Sequence, residues 1–136
     1  MKILCLTPIK HLDGVFEYLQ SFGAVDYLPE SPANVIRDTI SILDYDVIFC
    51  NPNKQNYKLD KYILKHFNGT ILTASTGLNH IDMKYCESNN IKVLSLTKDY
   101  DLINDLPSTS ELAFGLMSSI LRNIPCLLYT SDAADE

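Results

Sequence analysis

Tryptophan is absent from the 136 residues, no apolar run exceeds a few residues, and lysine and arginine do not match the acids in number. Each absence excludes something. The apolar runs, such as Val47-Ile48-Phe49-Cys50, fall far short of the roughly 20 residues a membrane-crossing helix needs, so no membrane partner is expected. Eleven basic and 17 acidic residues give a net charge of −6, which argues against a nucleic-acid surface, since such a surface needs clustered positive charge. Part of that imbalance is local. Residues 126–136 hold Asp132, Asp135 and Glu136 with no base, leaving residues 1–125 with 11 basic and 14 acidic groups, a net of −3. The four cysteines, Cys5, Cys50, Cys86 and Cys126, form no Cys-x-x-Cys pair and no ligand-like spacing with His11, His66 or His80. They read as reduced thiols in a reducing compartment, with no metal site. Met1–Leu6 is too short for a signal peptide and runs directly into Thr7-Pro8, so it is read as a first strand of a cytoplasmic protein. There is no internal repeat and no low-complexity tract.

What is present is an ordinary globular composition, 46% apolar and 21% charged. Its length suits one domain that buries roughly two-thirds of its unfolded surface without a disulfide or metal. Short apolar runs alternate with amphipathic ones. Strands are expected at Lys2–Leu6, Val25–Leu28, Val47–Cys50, Thr70–Ser75 and Ile91–Leu96. Helices are expected at Val15–Phe22, Pro32–Leu43, Leu59–Phe67 and Ile81–Asn90. Val47–Cys50 is apolar throughout, as in a strand covered on both faces. Lys98–Leu106 reads as a polar loop. A last helix opens at Pro107-Ser108-Thr109-Ser110-Glu111, where Ser108 and Glu111 have the spacing of a capping box. Leu112, Leu116, Ile120 and Ile124, widened by Phe114, Met117 and Leu121, give it a broad apolar strip suited to packing on another domain or subunit. Residues 126–136 continue neither period. They resemble the in-frame translation of a sequencing adapter and are set aside as a foreign tail.

Five strands alternating with helices imply an α/β fold, a flavodoxin-like, doubly wound, parallel five-stranded sheet with flanking helices and a protruding C-terminal helix. Ligands of such sheets bind beyond the carboxyl ends of the strands. Those ends read Thr7-Pro8-Ile9-Lys10, Asn51-Pro52-Asn53-Lys54, Ser75-Thr76-Gly77-Leu78-Asn79-His80 and Thr97-Lys98-Asp99. The Ser-Thr-Gly turn stands out. Small residues there let the backbone approach a ligand closely, and amides at a strand-to-helix turn favour an anion such as a carboxylate or phosphate. An ordinary turn is the plainer alternative.

Thr73-Ala74-Ser75-Thr76-Gly77-Leu78-Asn79-His80-Ile81-Asp82 resembles the G-x-D-x-I/V-D segment of the D-isomer-specific 2-hydroxyacid dehydrogenases, with Gly77, Asn79, Ile81 and Asp82 in register. The resemblance continues through Asn90-Ile91-Lys92-Val93, Ser110-Glu111-Leu112-Ala113 and Leu121-Arg122-Asn123-Ile124-Pro125. It implies that residues 1–106 are a substrate-binding (catalytic) domain and that 107–125 lead into an NAD-binding domain. It also implies an oxidoreductase that moves a hydride between C4 of a nicotinamide, NAD or NADP, and C2 of a small 2-hydroxy or 2-keto acid, in a homodimer. By the same resemblance Ser75, Thr76 and Gly77 hold the substrate carboxylate, and Thr76 and Thr109 lie on the cofactor side. Asn51, where the family often has Arg, is a candidate substrate contact.

Departures from the family pattern matter. The Gly-x-Gly-x-x-Gly loop that cradles pyrophosphate is absent. So are counterparts of the family's catalytic Arg, Glu and His, which fall after Pro125, so no catalytic residue is assigned and this piece alone is expected to be inactive. His80 is read as a structural or exposed helix-start residue. Asn79 replaces the segment's first acid, leaving Asp82 to serve the helix start. Two other classes stay open. A flavin-binding electron-transfer module is faintly echoed by Ser75–Asn79, although that loop would belong after the first strand. A phospho-receiver would need acids where Thr7-Pro8 and Asn51 stand, and a non-catalytic interaction domain stays open if the 126–136 tail is natural.

Overall fold

The computed structural model describes residues 1–98, 101, 103 and 107–123, with only the backbone described for Lys98 and Thr109. The tail at 126–136, Cys126, Ile124-Pro125 and most of the 98–106 segment lie outside the described residues. Two compact units result, residues 1–98 and residues from 99 onward.

In the first unit the strands are β1 (Lys2–Cys5), β2 (Ala24–Tyr27), β3 (Val47–Phe49), β4 (Thr70–Thr73) and β5 (Lys92–Ser95). The helices are α1 (Val15–Gln20), α2 (Ala33–Ile42), α3 (Lys61–Leu64) and α4 (Met83–Ser88), and a 3-10 turn covers Leu96–Lys98. All strand pairs are parallel, in the order β2-β1-β3-β4-β5. This is the doubly wound, flavodoxin-like order expected from the alternation of elements.

The register explains why those apolar runs became inner strands. Leu4, Ile48 and Ile71 pair across β1, β3 and β4, and each is completely buried. They share one core with Ile36 and Ile40 of α2, Ile63 and Leu64 of α3, and Cys86 of α4. Each such aliphatic side chain contributes about 1.5–3 kcal/mol by leaving water. Cys5, Cys50 and Cys86 are free and buried, as the sequence suggested.

Two expectations about helix ends fail. The segment expected to be helical over Leu59–Phe67 gives only the single turn of α3. Leu59 instead bridges to Ile81, its N–H donating to the His80 carbonyl at 2.9 Å and its own carbonyl accepting from the Asp82 N–H at 2.9 Å. Asp60 then caps α3 by accepting from the Tyr62 and Ile63 amides. In the second unit, α5 (Ser108–Leu121) begins at Ser108 itself, with Pro107 in the cap position and no side-chain cap bond, so the Ser108–Glu111 capping box does not form. The Glu111 N–H bonds the Pro107 carbonyl at 2.9 Å, which puts Ser108 already within the helix. Leu112, Phe114, Leu116, Met117, Ile120 and Leu121 of α5 are exposed. Asp101 and Ile103 have helical backbone where the sequence reads as polar loop.

Candidate functional site

The carboxyl ends of β3 and β4 are joined by a change from backbone to side-chain pairing. The parallel ladder runs on to Cys50, whose N–H donates to the Leu72 carbonyl at 2.9 Å. At the next step a side chain replaces the backbone acceptor, because Asn51 Oδ1 accepts from the Ala74 N–H at 2.9 Å. It also accepts from the Thr73 hydroxyl at 3.3 Å. Beyond this point the chain leaves the sheet and forms the 74–79 loop that leads to α4. Asp82 caps that helix by accepting from the Tyr85 N–H at 3.2 Å, the helix-start role expected of it.

Three further contacts fix the loop. Ser75 Oγ accepts from the Gly77 N–H at 3.2 Å and donates to the Gly77 carbonyl at 2.9 Å. From the end of β5, the Thr97 hydroxyl donates to the Thr76 carbonyl at 2.9 Å. Thr97 is itself held by the Ser95 hydroxyl at 3.0 Å. The Thr76 and Gly77 carbonyls are thus both engaged. The Ser75 and Thr76 amides have no hydrogen-bond acceptor among the described residues.

Gly77 is exposed, and its φ is not positive. A Cβ placed there would meet nothing nearer than Ser75 Oγ at 3.9 Å. Neither strain nor packing within the described protein requires glycine at this position. Gly69, at the start of β4, differs: a Cβ there would stand 2.2 Å from the Asp46 carbonyl oxygen.

Beside the loop lies an open cleft of about 280 Å³, between the 52–58 segment that follows β3 and the 77–80 segment. Its lining includes Asn53, Tyr57, Lys58, Gly77, Asn79 and His80. Asn53 clasps the segment through its side chain, accepting from the Tyr57 N–H at 3.2 Å and donating to the Tyr57 carbonyl at 3.0 Å. The Lys58 ammonium is the cation of the lining, and no acid lines it. Burial pushes the Tyr57 hydroxyl up to about 12, so the phenol stays neutral. A lining with asparagine side-chain amides, one ammonium and no carboxylate suits a small anion, and the Ser75 and Thr76 amides lie beside this cleft, outside its lining.

Of the residues singled out from sequence, Asn51, Ser75, Thr76 and Gly77 come together at this one edge of the sheet. Thr109 lies in the first turn of α5, and its side chain is outside the described residues. Of the two roles expected for His80, structural or exposed, the structure supports the structural one, with Nε2 3.2 Å from the Thr73 hydroxyl. Only 8% of it is accessible, and burial lowers its pKa and favours the neutral ring. Sequence reading gave no role to Thr73 and Thr97, which hold the loop from the end of β4 and from the turn after β5. Among the described residues no three His, Cys, Asp or Glu side chains cluster as a metal site would require. No helix there is long and apolar enough to cross a membrane.

Residues 4–101 match the family model described as "D-isomer specific 2-hydroxyacid dehydrogenase, catalytic domain". Among solved structures the fold is similar to a glyoxylate reductase from Paecilomyes thermophila (16% identity, TM-score 0.58), covering 70% of this chain and 31% of that one. It is similar to the D-lactate dehydrogenase of Aquifex aeolicus complexed with NAD and lactic acid (18%, TM-score 0.60), covering 88% and 33%. It is also similar to the pyruvate reductase of Chlamydomonas reinhardtii (15%, TM-score 0.64), covering 92% and 36%. The chain therefore spans about a third of the length of these structures, and at such identities the likeness establishes the fold. A comparison with curated sequences finds no match.

Proposed function

Since the chain belongs to the D-isomer specific 2-hydroxyacid dehydrogenases and carries their catalytic domain over residues 4–101, we propose that its 75–77 loop holds the carboxylate of a small 2-hydroxy or 2-keto acid. The observation that carries this reading is the combination at one turn of two unengaged amides, Ser75 and Thr76, with a glycine that the fold itself does not need. Gly77 gives a ligand room to reach the main chain. Its own N–H is turned onto Ser75 Oγ, so it joins the grip only when that hydroxyl rotates away. Charge-assisted bonds from amides to a carboxylate are about twice as strong as neutral ones, and Lys58 adds long-range attraction.

The whole protein, on this reading, is an NAD(P)-dependent oxidoreductase that interconverts a 2-hydroxy and a 2-keto acid and works as a homodimer in a reducing, cytoplasmic compartment. The reducing compartment is suggested by the buried free thiols Cys5, Cys50 and Cys86. The described residues do not fit the dinucleotide itself. No Gly-x-Gly-x-x-Gly turn joins a strand to a helix, and the positive-φ glycines are Gly14, before the six-residue α1, and Gly23. The nicotinamide cofactor is therefore assigned chiefly to polypeptide outside these 136 residues, with the 107–125 segment leading toward it. This chain's contribution is to bind and orient the acid.

The flavin-binding alternative needs its phosphate loop after β1, whereas the Ser-Thr-Gly turn follows β4. Ligand-observed NMR on the 136-residue chain tests the carboxylate reading. Saturation transfer to pyruvate and to D-lactate is expected, with none to NADH and no oxidation of NADH in the presence of pyruvate. Absence of transfer to either acid at millimolar concentration, or turnover of NADH by this chain alone, contradicts it.

A further inference from the structure

The proton positions around Asn51 follow from one group whose role is unambiguous. The Ala74 main-chain N–H can only donate, so the Asn51 atom 2.9 Å from it is the amide oxygen. That oxygen can only accept, so the single hydrogen of the Thr73 hydroxyl goes either to it at 3.3 Å or to His80 Nε2. Burial decides between the two: giving that hydrogen to Nε2 would put the ring proton on Nδ1, which is buried and has no partner, whereas an Nε2–H donates to Thr73 Oγ1 at 3.2 Å. Nδ1 is left as a bare acceptor, completely buried and without a partner. A proton there would be an unpaired buried N–H on a charged ring, costing several times what a bare lone pair costs. The unpartnered burial of Nδ1 selects one neutral tautomer, with the proton on Nε2.

We infer that Asn51, Thr73 and His80 form a brace, running from Ala74 N–H through Asn51 Oδ1 and Thr73 Oγ1 to the Nε2–H of His80, which sets the loop presenting the Ser75 and Thr76 amides. The brace seizes that loop at both ends, at Ala74 where it leaves β4 and at His80 where it enters α4. Its anchor is Asn51, on the neighbouring strand end. Asn51 Oδ1 therefore serves through the loop and not through the substrate, and all three side chains are positioning residues. The Leu59 N–H, bonded to the His80 carbonyl at 2.9 Å, fixes the backbone of the same corner. The use assigned to the brace rests on the carboxylate reading of the loop, while its existence does not.

Long-range 1H–15N correlation of histidine-labelled 136-residue chain at pH 7.5 tests the chemistry. His80 should show the Nε2–H tautomer alone, in wild type and in Thr73→Ser, which keeps the hydroxyl. Thr73→Val, nearly isosteric but without the hydroxyl, should release His80 from that single tautomer and broaden or shift the Ser75 and Thr76 amide signals. Pyruvate should then bind about tenfold more weakly in Thr73→Val, with binding restored in Thr73→Ser. An Nδ1–H tautomer or an imidazolium in wild type overturns the brace. So does a Thr73→Val protein whose loop signals match wild type. If Thr73→Val does not fold, the wild-type tautomer decides. The expected tautomer and loop response in a chain that binds no pyruvate support the brace and overturn the carboxylate reading separately.

Discussion

Replacing Gly77 by alanine separates a residue kept for the fold from one kept for a ligand. The new methyl would lie in open space, 3.9 Å from Ser75 Oγ, on a backbone whose φ is not positive. Glycine-to-alanine changes at compatible positions stabilise by about 0.4–1 kcal/mol, through the lower entropy of the unfolded chain. At about 4–8 °C per kcal/mol for a domain near this size, Tm should stay level or rise by a few degrees. Binding should move the other way. If the carboxylate reaches the Ser75 and Thr76 amides across Gly77, the methyl stands in its path, and one lost bond to a charged acceptor costs about 1.5–3 kcal/mol, or at least tenfold in pyruvate affinity. The assay pairs thermal unfolding with an NMR titration of pyruvate on the same samples. Unchanged affinity in Gly77→Ala refutes the reasoning about ligand access, and a fall in Tm refutes the claim that the fold does not need this glycine.

Other consequences can be measured independently. Gly69→Ala should destabilise by about 1–3 kcal/mol, since its methyl collides with the Asp46 carbonyl oxygen at 2.2 Å, and urea unfolding should show an earlier midpoint. Asp60→Ala removes the acceptor for the Tyr62 and Ile63 amides and should cost about 0.5–2 kcal/mol, read by the same denaturation curve. Burial pushes the Cys50 thiol up to about 12, from an ordinary 9.0. The unfolded chain then releases that proton first, so this part of the stability is whole below pH 9 and is lost as pH rises from 9 toward 12. Cys50→Ala should flatten that alkaline decline in stability curves taken at several pH values, and native Cys50 should resist thiol reagents at neutral pH.

The strands were legible because each holds a short apolar stretch between turn or helix signals, and the sheet order followed from connection rules that need no long-range knowledge. Leu59 shows where such reading stops. Its four-residue spacing from Ile63 and Phe67 belongs to a helix, but the neighbouring Ile81 segment takes its backbone into a bridge, and α3 shrinks to a turn. Ser108 fails for a more local reason, since the helix begins one residue earlier than a serine cap requires. The Ser75-Thr76-Gly77 turn could be located from residue types alone. What holds it could not, because Asn51 meets Ala74 from 23 residues away and Thr97 meets Thr76 from 21. His80 carried no partner pattern along the chain. Its partner Thr73 is brought alongside only when β4 ends and the loop folds back.

The central claim, that main-chain amides at the end of β4 hold an acid group, is tested most directly by following every backbone amide of 15N-labelled protein as pyruvate is added. Saturable shifts centred on Ser75 and Thr76, spreading to Gly77 as Ser75 Oγ is displaced, are the predicted result. Shifts confined to the groove lined by Arg37, Lys61 and Lys65, with Ser75 and Thr76 unmoved, would contradict it.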